Sequence, residues 1–269
     1  MRNNKVNIGV IGLGNIGNYF CKEILHKRKE IQSKTGKIIN LMFVSAKNKK
    51  KGRNFKIKKN QWINNPLNIT RHKDIDVVVE LIGGTDGMAK KVVISALKNK
   101  KHVITANKSL IAKYGNKLSI LAEKNKVNLE FEASVAGGIP IIRGIKEGLI
   151  SNKIIKLIGI LNGTSNYILT EMQKTGKSFE QVLKDAQNSG YAETNPKSDL
   201  NGEDVSSKIK ILSSLCFKSL ISKNSILTSG IENIGIKDIK ATKRLGYKVK
   251  LLGITEIINK KIFERVHPS

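Results

Sequence analysis

The sequence predicts an α/β protein, a doubly wound parallel sheet followed by a second domain of α+β type. Three observations carry this expectation. The first half alternates short, continuously apolar runs with segments of helical periodicity, as parallel strands do when crossover helices cover both faces of their sheet. A G-x-G-x-x-G run, Gly12 to Gly17, stands where the first apolar run passes into the first helical one. Beyond residue 140 the alternation loses its regularity, and 269 residues suffice for two domains. The expected units are 1–140 and 141–269.

Residues 6–11 (VNIGVI) form the first strand, and 18–30 the helix that follows. A second strand centres on 40–46, a third spans 74–84, and helices are expected at 88–100 and 109–126, with strands at 102–106 and 127–134. Residues 139–150 look helical and leave the first domain. Residues 154–161 read as a strand, and Thr164 or Ser165 is placed to cap the helix after it. A further helix from Ser178 ends at Gly190 with a glycine stop.

In the glycine run, Gly12 permits a tight turn, Gly14 lets the backbone approach a pyrophosphate, and Gly17 lets helix and strand pack closely. The helix N-terminus supplies unpaired N–H groups to an anion. This is the dinucleotide fingerprint of a Rossmann-type sheet. The second strand ends VSAKNKKKGR, with no acid from Ser45 to Arg53 to accept from a ribose 2′-hydroxyl. Lys47 or its neighbours would meet a 2′-phosphate instead, so NADP is expected over NAD.

Composition excludes several classes. An apolar fraction of 39% supports a folded core, and no apolar run is long enough to span a bilayer. The basic start MRNNKVNIGVIGLG is interrupted by glycines and runs into a helix, unlike a signal peptide. Cys21 and Cys216 lie in helical segments without metal-ligand or disulfide spacing, which fits a reducing cytoplasm. The net charge of +28 suggests nucleic acid, but the lysines are spread over every segment and the 5% of aromatic residues do not interleave with them. Nucleic-acid binding is therefore not expected as the main function.

The stretch GYAETNPKSDLNGEDVSSK, residues 190–208, gathers Glu193, Asp199, Glu203 and Asp204 ahead of Lys208 in a chain with 21 acidic residues against 49 Lys and Arg. On a helix from about 202 to 217, Val205, Ile209, Ile211, Leu212, Leu215 and Cys216 share one arc of about 160°. Ser206, Ser207, Lys210, Ser213, Ser214 and Lys218 lie opposite. Asp204 and Lys208 fall within the apolar arc, one turn apart. A pair aimed inward must be hydrogen-bonded or costs several kcal/mol. It is either a buried structural pair or the lining of a cleft, where a desolvated lysine beside another cation would suit proton transfer. The lining of a cleft is expected.

With these blocks the chain resembles homoserine dehydrogenase, over nearly its whole length. The matching blocks are GLGNIG, VVVELIGG, HVITANK, FEASVAGGIPII, GILNGTSNYILT, GYAE and DLNGEDVSSK, in order. The resemblance implies reduction of L-aspartate 4-semialdehyde to L-homoserine with NAD(P)H, on the route to threonine and methionine. It implies Lys208 as proton donor, with Lys108 near nicotinamide and substrate; how the two share the proton stays open. Glu193 and Asp204 match substrate-binding carboxylates, and Asp199 either orients them or begins the helix. Gly12, Gly14, Asn15, Ile16, Gly17, Lys47, Thr105, Lys108 and Gly190 are the implied cofactor-binding set. Glu132 and the Val135, Gly137 and Ile139 region imply a site for a monovalent cation, Na+, although the residues alone would read as an ordinary turn. A homodimer built on the second domain is also implied.

There are departures. Asn195-Pro196 replaces the family's acid-Pro, and Ala46-Lys47-Asn48 replaces its Ala-Arg-Asp. The chain ends at FERVHPS, where the family continues through more of the catalytic sheet, so a second domain incomplete at its C-terminus is expected, with His267 a strand residue. The competing readings are a catalytically impaired fragment of such an enzyme, a phosphorylating aldehyde dehydrogenase needing a cysteine nucleophile, and a non-catalytic basic protein that binds nucleotide or nucleic acid.

Overall fold

In the first unit, residues 1–140, a five-stranded sheet runs in the order β2-β1-β3-β4-β5, every pairing parallel. The structure is a computed structural model and describes residues 4–222 and 225–269; the first three residues of the basic start lie outside it. The elements are β1 (Lys5–Ile11), α1 (Asn15–His26), α2 (Arg28–Thr35), β2 (Ile38–Ser45), α3 (Pro66–Arg71), β3 (Val77–Glu80), α4 (Met88–Lys98), β4 (His102–Thr105), α5 (Lys108–Lys124) and β5 (Leu129–Glu130). Val10, Val78, Val79 and Val103 are buried because helices cover the sheet, which is why these strands read as unbroken apolar runs. Chain order reverses between β1 and β3, and such a switch point opens a crevice at the carboxyl ends of the strands.

Several boundaries differ from the sequence reading. The helix expected over 18–30 breaks at Lys27, and α2, which buries no residue, continues beyond it without an apolar stripe to signal it. The strand expected over 74–84 is four residues long, and that over 127–134 is two, because β4 offers β5 only Val103 and Ile104 as partners. A 3₁₀ turn, Glu132–Ser134, follows. Helix α3 begins on a side-chain cap, Asn65, with Pro66 at its first position. Trp62 bridges to Val44, and the Gln61 side chain donates to the Leu41 carbonyl at 2.7 Å, so this segment covers the outer edge of β2.

The second unit, residues 141–269, contains α6 (Ile141–Arg143), a π-turn (Gly144–Gly148), β6 (Lys156–Gly159), α7 (Gly163–Thr175), α8 (Phe179–Asn188), α9 (Lys197–Leu200), α10 (Glu203–Cys216), β7 (Leu227–Thr228), α11 (Ile236–Arg244), β8 (Leu251–Ile258) and β9 (Lys261–Pro268). Its sheet has the order β6-β8-β9-β7. Asn259 and Lys260, both at positive φ, close the β8–β9 hairpin, and His267 is a strand residue as expected. The helix expected over 139–150 is one α-turn followed by the π-turn, and the strand expected over 154–161 is Lys156–Gly159.

Helix α10 lies close on β8. A Cβ at Gly253 would stand 2.5 Å from Ile209 Cγ1, so only glycine admits the helix at this distance. Val205, Ile209, Leu251 and Val266 fill that contact. Ser213, expected on the polar face of α10, is buried and shares a hydrogen bond of 3.0 Å with Thr255 on β8. The helix is enclosed on more sides than its apolar arc suggested, since β8, β9, α9 and the π-turn all pack against it. Among the described residues no helix is long and apolar enough to cross a membrane.

Candidate active site

The carboxyl ends of β1, β2 and β3 surround a cleft of about 590 Å³, the size of small-molecule and cofactor pockets. Each fingerprint glycine has its own physical reason. Gly12 sits at φ +103°, and a Cβ there would meet the Leu81 backbone at 2.4 Å. A Cβ at Gly17 would lie 1.9 Å from the Gly12 carbonyl oxygen. At Gly14 nothing stands within 4 Å, which leaves room for a ligand to approach the backbone. Gly14 is the N-cap of α1 and offers no side-chain cap, so the first N–H groups of this 12-residue helix are free to meet an anion. Asn15 and Ile16, the first helical residues, are exposed beside it. Lys47, Lys51 and Arg53 line the far wall, and no carboxylate lines the cleft. These residues fit a dinucleotide.

Sequence reasoning passed over Glu80 at the end of β3. It is fully buried. Its Oε1 accepts from the backbone N–H groups of Ile82 at 2.7 Å and Gly83 at 3.2 Å, and its Oε2 from the Thr105 hydroxyl at 2.6 Å. Thr105 accepts in turn from the Asn107 N–H at 3.0 Å, and Asn107 caps α5 through Leu110 while donating to the Gly84 carbonyl at 2.6 Å. One carboxylate thereby ties together the loops after β3 and β4. Thr105, expected among the cofactor-binding residues, is fully buried with its hydroxyl engaged on both sides. Lys108, half-buried, is the first residue of α5. Glu80→Ala leaves three donors without an acceptor and is expected to lower stability by about 3 kcal/mol, measured by denaturant unfolding.

Residues 132–139 form a tight turn with Ala136 at φ +50° and Gly138 at φ +89°. It holds Glu132, a fully buried Val135, and the exposed Gly137 and Ile139. No group of three or more His, Cys, Asp or Glu that could hold a metal ion occurs among the described residues. A cation here would rely on one carboxylate and on backbone carbonyls.

In the second unit Asp204 pairs with Lys208, and Asp199 joins Asp204 through Asn162. The Lys208 ammonium donates to Asp204 Oδ2 at 2.7 Å and to the Leu161 carbonyl at 2.5 Å. The Asp204 side chain is 3% exposed and that of Lys208 17%. The nearest charged neighbour is thus a carboxylate, not the second cation considered from sequence. The Asn162 amide donates to Asp204 Oδ2 at 3.0 Å and to Asp199 Oδ1 at 2.8 Å, while its oxygen caps α7 by accepting from Ser165 N–H at 2.8 Å. The cap is therefore Asn162, not Thr164 or Ser165; the Ser165 hydroxyl instead donates to the Asp199 carbonyl at 2.6 Å. Asp199 lies in α9 and orients this chain of groups, rather than beginning α10. Asp204 Oδ2 and the Lys208 ammonium each have two partners, and such hydrogen bonding is the condition under which a buried charge is tolerated.

Glu193 and Gly190 lie on the loop after α8. Gly190 sits at φ +75°. Tyr191 stacks on Tyr167 of α7 with ring centroids 4.4 Å apart and 7° between planes, and the Gln187 side chain donates to the Glu193 carbonyl at 3.2 Å. These contacts fix the loop while Glu193 remains exposed. Both cysteines are buried; burial pushes the Cys21 thiol up to about 12 and that of Cys216 up to about 11. A buried thiol raised this far is a poor nucleophile at neutral pH, unlike the cysteine a phosphorylating aldehyde dehydrogenase needs. Iodoacetamide at neutral pH is expected to label neither residue in the folded chain, and mass spectrometry checks this.

Two family models match the chain, homoserine dehydrogenase over residues 140–269 and homoserine dehydrogenase, NAD binding domain, over residues 12–132. The homoserine dehydrogenase of Neisseria gonorrhoeae is 44% identical over 98% of this chain and 60% of its own length, and that of Bacillus subtilis 40% identical over 98% and 61%. The chain thus spans about 60% of the length of these curated relatives. The crystal structure of a homoserine dehydrogenase from Thiobacillus denitrificans superposes with a TM-score of 0.92 at 39% identity, over 98% of this chain and 61% of that one.

Proposed function

The chain belongs to the homoserine dehydrogenase family, its first unit matching that family's NAD-binding domain, and on that premise we propose that it reduces L-aspartate 4-semialdehyde to L-homoserine. The observation that carries this reading is the Lys208 ammonium, held by Asp204 and the Leu161 carbonyl in an otherwise buried acidic network. When bound, the reduced nicotinamide supplies a hydride to the carbonyl carbon. Lys208 gives a proton from Nζ to the developing alkoxide, so that an N–H bond breaks as the O–H bond forms. Asp204 and the Leu161 carbonyl keep that ammonium aimed, and the Asn162 amide keeps Asp204 in place. Glu193 and the Asp199–Asp204 cluster hold the substrate's own ammonium. Gly12, Gly14, Asn15, Ile16 and Gly17 hold the dinucleotide.

NADP is the preferred dinucleotide, supported by three basic side chains and no acid at the end of β2. The 132–139 turn takes a monovalent cation such as Na+. The face of the second sheet turned away from α10 exposes Ile158 and Phe263 and suits a second copy of the chain, in a cytoplasmic homodimer. Loss of NADPH absorbance with the semialdehyde, run beside NADH, tests the activity and the preference together. Turnover several-fold faster with NADPH is expected. Equal rates would overturn the preference, and no turnover with either would overturn the activity.

A further inference from the structure

The loop after β2 is wound around one side chain. Arg53 Nη1 donates to the Lys49 and Lys51 carbonyls at 3.1 and 2.7 Å, and Nη2 to the Asn48 carbonyl at 2.5 Å. The guanidinium lies over the Trp62 ring, 5.0 Å from its centroid. Trp62 is itself anchored to the sheet edge by its bridge to Val44. Arg53 Nε is buried without a partner. The position of the group is therefore dictated by the loop carbonyls and the indole, not by satisfaction of all its own donors. None of Lys47, Lys51 and Arg53 is ion-paired with a carboxylate among the described residues. Three uncompensated cations thus stand on one wall of the cleft.

We propose that Arg53 is a positioning residue that sets the preference of the cleft for a ribose bearing a 2′-phosphate, by bracing the 46–53 loop so that Lys47 and Lys51 face that phosphate. The inference rests on reading the first unit as a dinucleotide site. Arg53 acts through the loop, because two of its three nitrogens are engaged by carbonyls and the third is buried. Lysine cannot replace it: one ammonium carries the charge, but has neither the planar fork for three carbonyls nor the flat face for the indole.

The chain contains a probe at this point, since Trp62 is its only tryptophan. Calorimetric titration of the wild-type chain and of Arg53→Lys with NADP+ and NAD+, with Trp62 emission followed in parallel, tests the proposal. The wild type is expected to bind NADP+ at least about tenfold more tightly and to change its Trp62 emission with NADP+ more than with NAD+. In Arg53→Lys that preference should fall below about threefold, with NAD+ binding held within about twofold. A variant that keeps the wild-type preference would overturn the role of Arg53 while leaving the NADP reading intact. A variant that loses NAD+ binding equally would make Arg53 a general support of the cleft and overturn its role in specificity. Equal binding of both dinucleotides by the wild type would overturn the NADP reading, and this inference with it.

Discussion

Lys208→Ala is expected to lower kcat by about 10²–10⁴-fold, the range for removal of a general acid. It also leaves the Asp204 carboxylate, 3% exposed, without its cation. A broken buried pair costs about 3–5 kcal/mol, so a lower melting temperature should accompany the loss of rate. The two effects separate in Lys208→Arg. A guanidinium preserves a cation beside Asp204 and should restore most of the stability, but it does not release its proton and should not restore the rate. Glu193→Ala should behave in the opposite way. Its exposed side chain supports no packing, so KM should rise by about tenfold while stability stays within about 0.5 kcal/mol. Steady-state kinetics and thermal unfolding of the three variants check these outcomes.

Gly17→Ala is expected to abolish dinucleotide binding and to destabilise the first unit by about 1–3 kcal/mol or more. The added methyl would stand 1.9 Å from the Gly12 oxygen, and the obstruction is backbone, which cannot swing aside as a side-chain tip can. Gly12 cannot retreat either, because the Leu81 backbone lies against it. Gly14→Ala provides the contrast. Its φ of −71° suits alanine and its surroundings are open, so the fold should be retained within about 0.5 kcal/mol. Only the approach of a ligand to the backbone is obstructed, and NADP+ affinity should fall by about tenfold or more. Calorimetric titration with NADP+ beside denaturant unfolding distinguishes the two positions.

Much of this arrangement is legible in the residues because its causes are local. Gly12 and Gly17 are required by contacts within one strand–turn–helix unit, and Asp204 and Lys208 stand one helical turn apart on an arc that the periodicity defines. What escaped depends on partners distant in sequence. Glu80 reads as an interruption in an apolar run until Thr105, 25 residues later, is placed beside it. Ser213 reads as a surface serine until β8 brings Thr255 against it, 42 residues on. Asn162 competes with Thr164 and Ser165 for the same cap, and its link to Asp199 and Asp204 depends on how α9 and α10 return to α7. The two-residue β7 and α2, which buries no residue, leave no apolar pattern to read.

Transfer of the hydride itself can be followed with an isotope. Purified chain would be incubated with L-aspartate 4-semialdehyde and NADPH carrying deuterium at the transferable position of its nicotinamide, and the products weighed by mass spectrometry. The expected product is L-homoserine heavier by one deuterium, formed by the wild type at least about 10²-fold faster than by Lys208→Ala. Homoserine without the label, or labelled homoserine formed as fast by Lys208→Ala, would contradict the proposed reaction.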